Sequence, residues 1–207
     1  MQEITPLFPL RLVIYPGSKY MLHIFEERYK QLVSSAINDN TVFGIVIVKD
    51  DSIERIGTYV RITGVLKEYT DGSFDIMVEG LNRFVVKKFW LGSEGYFLGR
   101  TEDYSDNSIS DYFNLFEKIR DKFELIITKA DFKLDDSFWT NLDEAKLKSF
   151  KLAEKSGLTL EQQQELLTKQ NEAERLYLLM EHFDNLIDYF DNKRALHSLI
   201  MNDGYVN

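Results

Sequence analysis

The chain has 207 residues, 44% of them hydrophobic and 14% aromatic, so it can bury a core and is not disordered throughout. It contains no cysteine, which excludes disulfides, thiol nucleophiles and cysteine metal ligands. The net charge of −9 divides into −2 for residues 1–105 and −7 for residues 106–207, a balance that disfavours nucleic acid as a partner. No leader segment or bilayer-spanning apolar run is visible, so we expect a cytoplasmic protein that binds no membrane.

The first forty residues contain all three prolines: Pro6, Pro9 and Pro16. Proline has no backbone donor, so short strands that meet at corners are expected around these positions. Pro16-Gly17 predicts a turn. A helix is then predicted, because apolar residues recur at helical spacing opposite charged ones. The predicted apolar stripe consists of Phe25, Tyr29, Leu32, Val33, Ala36 and Ile37.

Three segments of this stretch resemble the opening of the Lon protease N-terminal domain family. They are Pro6-Leu7-Phe8-Pro9-Leu10, Tyr15-Pro16-Gly17, and Leu22-His23-Ile24-Phe25-Glu26 followed by Arg28-Tyr29. The resemblance implies an α+β fold, in which a PUA-like, β-rich pseudo-barrel with one helix precedes a helical bundle. It also implies a substrate-binding role related to proteolysis.

Residues up to 104 are rich in β-branched residues and in turn-forming glycines. Strands are predicted at 42–49, 56–69, 74–80, 83–91 and 96–104, with Asp71-Gly72 in a hairpin turn. Several strands joined by short turns indicate a barrel-like antiparallel or mixed sheet.

Two further segments of this half resemble the same family. Ile56-Gly57-Thr58 with Val60-Arg61-Ile62 resembles a glycine-containing strand, and Val78-Glu79-Gly80-Leu81-Asn82-Arg83-Phe84 resembles a VEGxxRF hairpin. From the residues alone we expect a turn in which Gly80 takes an unusual backbone angle. Glu79 and Arg83 could pair across it, and a structural role for them is favoured over ligand contact.

After residue 100 only two glycines and no proline remain, which is typical of long helices. We therefore predict a boundary near 104–110, between a β-rich part at 1–105 and a helical part at 106–207. Helices are expected at 112–127 and 139–154, and two more should begin at capping boxes on Thr159 and Asn171. Ser156-Gly157-Leu158-Thr159, the residues that follow to Leu167, and Glu174-Arg175-Leu176 resemble the helical part of the family.

The residues that chemistry would require are missing or dispersed. No phosphate-binding loop of the G-x-x-x-x-G-K-[ST] type occurs, and His23, His182 and His197 are isolated from one another. We therefore expect no catalytic residue, no metal and no cofactor. The resemblance implies the substrate-recognition part of the protease as a free-standing protein, without the ATPase motor and the proteolytic site.

The candidate binding site is a groove where the sheet meets the helices, because exposed aromatic anchors ringed by charge are typical of peptide-binding surfaces. The candidate partner-binding residues are Tyr15, Tyr20, Glu26, Glu27, Arg28 and Tyr29. Phe8, a further candidate for lining the groove, and Phe25 are expected in the core instead. For the rings of Tyr15 and Tyr29, a place in the core and a place in the groove both stay open. The expected partner is an unfolded or degron-bearing polypeptide, or a protease or adaptor protein.

Two other functions stay open from the sequence. A PUA-like fold could bind RNA, in which case Arg61, Arg83, Lys87 and Lys88 should form one basic patch. An enzyme with a small-molecule pocket would instead need convergent polar groups and perturbed acids.

Overall fold

The computed structural model describes residues 3–49, 52–107 and 112–202, apart from the side chains of Glu3, Lys49 and residues 194–202. The chain divides into two compact units. The first comprises Met1–Asn107 and Thr159–Gln170, and the second comprises Ser108–Leu158 and Asn171–Asn207.

Apart from one helix between the second and third strands, the strands precede the helices along the described chain. The strands are β1 (Glu3–Leu10), β2 (Lys19–Ile24), β3 (Phe43–Lys49), β4 (Ser52–Ile53), β5 (Ile56–Glu68), β6 (Phe74–Leu91) and β7 (Phe97–Asp103). The helices are α1 (Glu27–Asp39), α2 (Phe113–Lys129), α3 (Asp136–Glu144), α4 (Lys148–Ala153), α5 (Leu160–Thr168) and α6 (Glu172–Asn202).

Five strands of the first unit close into a barrel. The hydrogen-bonded order β1-β7-β6-β5-β3 is closed by pairing of β1 with β3, and this last pair is parallel while the others are antiparallel. β2 pairs with the first half of β6, and β4 extends the end of β3. The α+β class and the mixed, barrel-like sheet predicted from the sequence are confirmed.

The sequence predicted that the prolines would divide the first stretch into separate short strands, and this prediction is wrong. A single strand, β1, contains both Pro6 and Pro9. Residues 3–7 of β1 pair with β7 and residues 7–10 pair with β3, so Leu7 alone has partners on both sides. Pro6 and Pro9 are therefore each paired with a strand on one side only. Since no strand pairs with the other side, the missing N–H of proline costs no hydrogen bond there.

The predicted turn at Gly80 is also wrong, because β6 runs without interruption from Phe74 to Leu91. Gly80 serves a close backbone approach instead. Its N–H donates to Ser18 O (2.9 Å), and its carbonyl accepts from Gly17 N (2.8 Å). A Cβ at this position would lie 2.2 Å from the carbonyl oxygen of Tyr15, so only glycine fits.

The main hydrophobic core of the first unit lies between α1 and the sheet. The helix contributes Tyr29, Leu32, Val33 and Ala36, as its apolar stripe predicted. The β1–β2 connection contributes Ile14, and the strands contribute Phe8, Leu22, Ile24, Phe43, Ile45, Val60, Ile76 and Val78. A smaller cluster of Leu7, Val46, Phe84 and Val86 packs separately.

Helix α5 belongs to the barrel unit, although the sequence placed it with the helical part at 106–207. Gln164 Nε2 donates to Ile56 O (3.0 Å), and the Tyr104 hydroxyl donates to Thr168 O (2.7 Å). The Arg83 guanidinium donates from one nitrogen to the carbonyls of Leu167 and Lys169, both at 2.6 Å, and from another to Asp106. These bonds satisfy free carbonyls at the C-terminal end of α5, which a helix terminus needs.

Helix α5 begins at the predicted capping box. The Thr159 hydroxyl accepts from Gln162 N, and the Gln162 side chain accepts from Thr159 N. At the start of α6, the Asn171 side chain accepts from Ala173 N and Glu174 N, as its predicted N-cap position requires.

The second unit is built on α2 and α6, which run in parallel. Lys122 pairs with Asp184 and Lys129 pairs with Asp191, so both helices advance seven residues between the two ion pairs. Phe123 of α2 stacks on Phe183 of α6, with ring centroids 5.5 Å apart. By length and hydropathy, none of the six helices qualifies as a bilayer-spanning segment within the described residues.

The helix predicted at 139–154 is two helices, α3 and α4. The Lys148 ammonium donates to Leu142 O (3.0 Å), Asp143 O (2.7 Å) and Ala145 O (3.3 Å). Three carbonyls at the end of α3 thus bond to a side chain instead of to a further helical turn, which explains why the helix stops.

Candidate functional site

An open groove of about 560 Å³ lies between α1 and two hairpin turns of the first unit. We call it the α1 groove. Helix α1 contributes one wall, the β5–β6 turn a second, and the β6–β7 turn a third. The lining residues are Glu27, Lys30, Gln31, Ser34, Ser35, Asp71, Gly72, Phe74, Glu94 and Tyr96.

The α1 groove carries more negative than positive charge. Lys30 donates to Asp71 O (2.7 Å) and lies 3.6 Å from the Glu27 carboxylate. Hydrogen bonds from Ser73 lower the pKa of Asp71, and a hydrogen bond from Ser93 lowers the pKa of Glu94. Three carboxylate side chains, of Glu27, Asp71 and Glu94, therefore line the groove beside one ammonium group, that of Lys30.

The candidate residues at the start of α1 form a layered arrangement. Arg28 donates to the Glu26 carboxylate from Nε (3.0 Å) and from a terminal nitrogen (2.7 Å). The guanidinium lies over the Tyr29 ring, 4.7 Å from its centroid, and that ring stacks on Phe8 at 4.0 Å. Tyr29 is only 4% exposed, so of the two places that the sequence left open for this ring, core and groove, the structure has the core. Phe8 lies in the core as expected.

The other candidate residues lie in three different settings. Glu27 is exposed and lines the α1 groove. Tyr20 is half-buried and packs against the core beneath α1. Tyr15 is 1% exposed, and its hydroxyl is 3.5 Å from the carbonyl of Gln163 in α5. Of the two places that the sequence left open for Tyr15, core and groove, the structure has the core.

An exposed stripe beside α1, which was not predicted from the sequence, consists of Met21, His23 and Phe25; we call it the β2 stripe. Met21 and Phe25 are 66% and 64% exposed, and the His23 and Phe25 rings stack with centroids 5.9 Å apart. Phe25 was expected in the core as part of the helix stripe, but α1 begins at Glu27 and does not include it. The signal was the alternation of Tyr20-Met21-Leu22-His23-Ile24, in which every second residue points outward.

The β5–β6 hairpin supports the β2 stripe through Asp75. One carboxylate oxygen lies 2.7 Å from His23 Nδ1, and the other accepts from the Tyr69 hydroxyl at 2.6 Å. The hydrogen bonds from Tyr69 and then from His23 lower the pKa of Asp75. The His23 ring also meets Tyr69 edge-on, at 5.7 Å, so two side chains fix the middle of the stripe.

The basic patch expected for RNA binding is not formed. Arg83 is buried against α5, and Lys87 pairs with Glu102 at 3.0 Å. Arg61 lies opposite Glu79 on the neighbouring strand, away from both in register. In the described ranges, no three His, Asp or Glu side chains are placed to hold a metal ion.

A family model covers most of the chain. Residues 4–185 match the ATP-dependent protease La (LON) substrate-binding domain. This match includes the β2 stripe, the α1 groove and both units of the structure.

Curated relatives with detectable similarity are Lon proteases. The protein from Dictyoglomus thermophilum is 33% identical over 108 residues, which cover 48% of this chain and 13% of that protein. The protein from Buchnera aphidicola subsp. Baizongia pistaciae is 26% identical over 209 residues, covering 94% of this chain and 26% of that protein. The chain thus spans about a quarter or less of the length of these relatives.

Two solved structures share the fold. The Lon N-terminal domain protein from Xanthomonas campestris matches with a TM-score of 0.64 and 25% identity, over 86% of this chain and 98% of that one. The N-terminal domain of the Mycobacterium avium complex Lon protease matches with a TM-score of 0.69 and 16% identity, over 88% and 98%, and at that identity shows the fold alone. With the family model matched from residue 4 to residue 185, the chain belongs to the ATP-dependent protease La (LON) substrate-binding domain family.

Proposed function

We propose that this protein is a non-catalytic recognition module that binds unfolded or degron-bearing polypeptides, or an adaptor, through the β2 stripe and the first turn of α1. Membership of a substrate-binding family supports recognition as its general role. The absence of a phosphate-binding loop from the sequence supports a role without ATP-driven chemistry. A cytoplasmic location and the absence of a membrane partner stay predictions.

The observation that carries the proposal is the exposure of Met21 and Phe25. Single exposed apolar side chains are normal on protein surfaces. Here a thioether and an imidazole alternate along β2, and a phenyl ring follows directly after the end of the strand and stacks on the imidazole. Methionine and aromatic side chains are enriched in interfaces because they offer adaptable and large apolar contact.

The surroundings of the β2 stripe supply the polar rim that such a surface requires. Glu26 and Arg28 form an ion pair directly after Phe25, and both side chains are about two-fifths exposed. Glu27 continues the rim into the α1 groove. Of the residues predicted from the sequence, Tyr20, Glu26, Glu27 and Arg28 are retained, whereas the buried rings of Tyr15 and Tyr29 take a supporting role.

A direct test is fluorescence anisotropy with a labelled, permanently unfolded polypeptide such as carboxymethylated α-lactalbumin. We expect a saturable signal that weakens roughly thirtyfold when Met21→Ser and Phe25→Ser are combined, because two interface anchors are each worth about 1 kcal/mol. The matched control combines Leu125→Ser and Phe132→Ser, which remove exposed apolar side chains from the second unit. Equal binding by both double variants, or no binding by the parent protein, would overturn the proposal.

A further inference from the structure

A second surface of the first unit carries cations without counter-ions. On the sheet formed by β6, β7 and β1, Lys88 lies opposite Arg100, and Arg100 lies opposite Ile4. The next row on the same face joins Trp90, Leu98 and Pro6. Because directly opposed residues point to one face of a sheet, these six side chains form one surface, which we call the β7 patch.

Lys88 and Arg100 are both exposed, and neither side chain has a hydrogen bond or ion pair with any side chain that the structure describes. Like charges on directly opposed strand positions are destabilising. The nearest acidic residue on this face of β7 is Glu102, and its carboxylate is held by Lys87 at 3.0 Å. The two adjacent cations are therefore not neutralised within the described chain.

The rest of the β7 patch is apolar and open. Ile4 is 60% exposed, and Trp90, Leu98 and Pro6 are half-buried. Phe8, further along β1 on the same face, is covered by Tyr29 of α1. The patch thus begins where the cover given by α1 ends.

We propose that the β7 patch is a binding surface for an acidic polypeptide segment, in which carboxylates flank a large apolar side chain. The carboxylates pair with Lys88 and Arg100, and the apolar side chain packs between Trp90 and Ile4. Charge complementarity selects this occupant. A nucleic acid is disfavoured because the patch has only two cations on a chain of net charge −9, which repels a polyanion.

This inference does not rest on the proposed function, because the β7 patch shares no residue with the β2 stripe or the α1 groove. An unfolded polypeptide and an acidic segment could each bind without the other. The two proposals therefore fail separately: Met21→Ser with Phe25→Ser should leave acidic-peptide binding unchanged.

The experiment measures anisotropy of a fluorescein-labelled peptide in which glutamates alternate with leucine and serine, beside its lysine counterpart. The variant combines Lys88→Ser and Arg100→Ser, and the control combines Lys118→Ser and Lys133→Ser. The control removes two exposed cations of the second unit, so the change in net charge is the same. Circular dichroism verifies that each variant is folded.

We expect the parent protein to bind the glutamate peptide and not the lysine peptide, and the β7-patch variant to raise its Kd about tenfold, since two rim charge contacts each contribute a few-fold. The control should change Kd less than twofold, and added salt should weaken binding. Equal weakening in both variants would overturn the proposal. So would binding of a uridine-rich single-stranded RNA without binding of the glutamate peptide.

Discussion

Replacing Arg83 by methionine should weaken the attachment of α5 to the barrel and lower the free energy of unfolding. The guanidinium is 4% exposed and donates to the carbonyls of Leu167 and Lys169 at 2.6 Å and to the Asp106 carboxylate. Methionine keeps the length of the side chain but removes the guanidinium from the Asp106 carboxylate, which is 18% exposed, and from the two carbonyls. Breaking a buried ion pair from one side costs about 3–5 kcal/mol, and we expect a loss of unfolding free energy in that range.

Urea denaturation followed by tryptophan fluorescence can measure this loss in the first unit alone. The chain has two tryptophans, Trp90 in β6 and Trp139 in α3, so a Trp139→Phe background leaves a single reporter in the barrel. Arg61→Met is the control on the neighbouring strand β5, where the side chain is exposed, and it should change stability by less than about 0.5 kcal/mol. Adding Asp106→Asn to Arg83→Met should recover part of the lost unfolding free energy, because it removes the negative charge that paired with Arg83. A cost below about 1 kcal/mol for Arg83→Met would refute the reasoning.

Two further predictions concern the barrel and its hairpin. Gly80→Ala should cost about 2–3 kcal/mol in urea unfolding, because the new methyl group would lie 2.2 Å from Tyr15 O, whereas Gly64→Ala meets open space and should stay within about 0.5 kcal/mol; equal costs would contradict this account. Carboxyl NMR should give Asp75 a pKa below its ordinary value of 3.8, and Tyr69→Phe should return it toward that value. Because the pKa of Asp75 is lower in the folded state, the resulting stabilisation is present above the ordinary pKa and is lost as the pH falls through the folded pKa. Without Tyr69, acid unfolding should therefore begin at a higher pH. An Asp75 pKa at or above 3.8 would contradict this.

Periodicity and capping signals predicted much of the fold. The alternation of β-branched residues indicated the strands, and the spacing of Tyr29, Leu32, Val33 and Ala36 gave the buried face of α1 correctly. The Thr159 capping box marked the start of α5 to the residue. These features depend on neighbours along the chain, which a sequence displays directly.

The errors arose where a residue answers to a distant part of the chain. Gly80 was assigned to a turn, because nothing in its neighbourhood shows that the carbonyl of Tyr15 passes close to it. Arg83 was given Glu79 as a partner, whereas its partners include carbonyls more than eighty residues away.

The candidate site was predicted in part. The surface at the start of α1 carries the charged residues Glu26, Glu27 and Arg28, as predicted, because charge at a helix start is a local signal. The rings of Tyr15 and Tyr29 could not be assigned to core or interface, since the sequence pattern of an aromatic residue is the same in both; the structure buries both rings. Phe25 was mistaken for a core residue, because helical spacing continued two residues beyond the true start of α1.

Because α5 belongs to the barrel unit, this unit can be completed only late in the synthesis of the chain. The first segment of this unit, which contains all the described strands, ends at Asn107, but its second segment ends only at Gln170. At a translation rate of roughly 5–20 residues per second, the intervening residues take about 3–13 s to emerge. During that interval the carbonyls of Leu167 and Lys169 are not yet available to Arg83. The newly synthesised strands therefore lack the helix that packs on them in the folded unit.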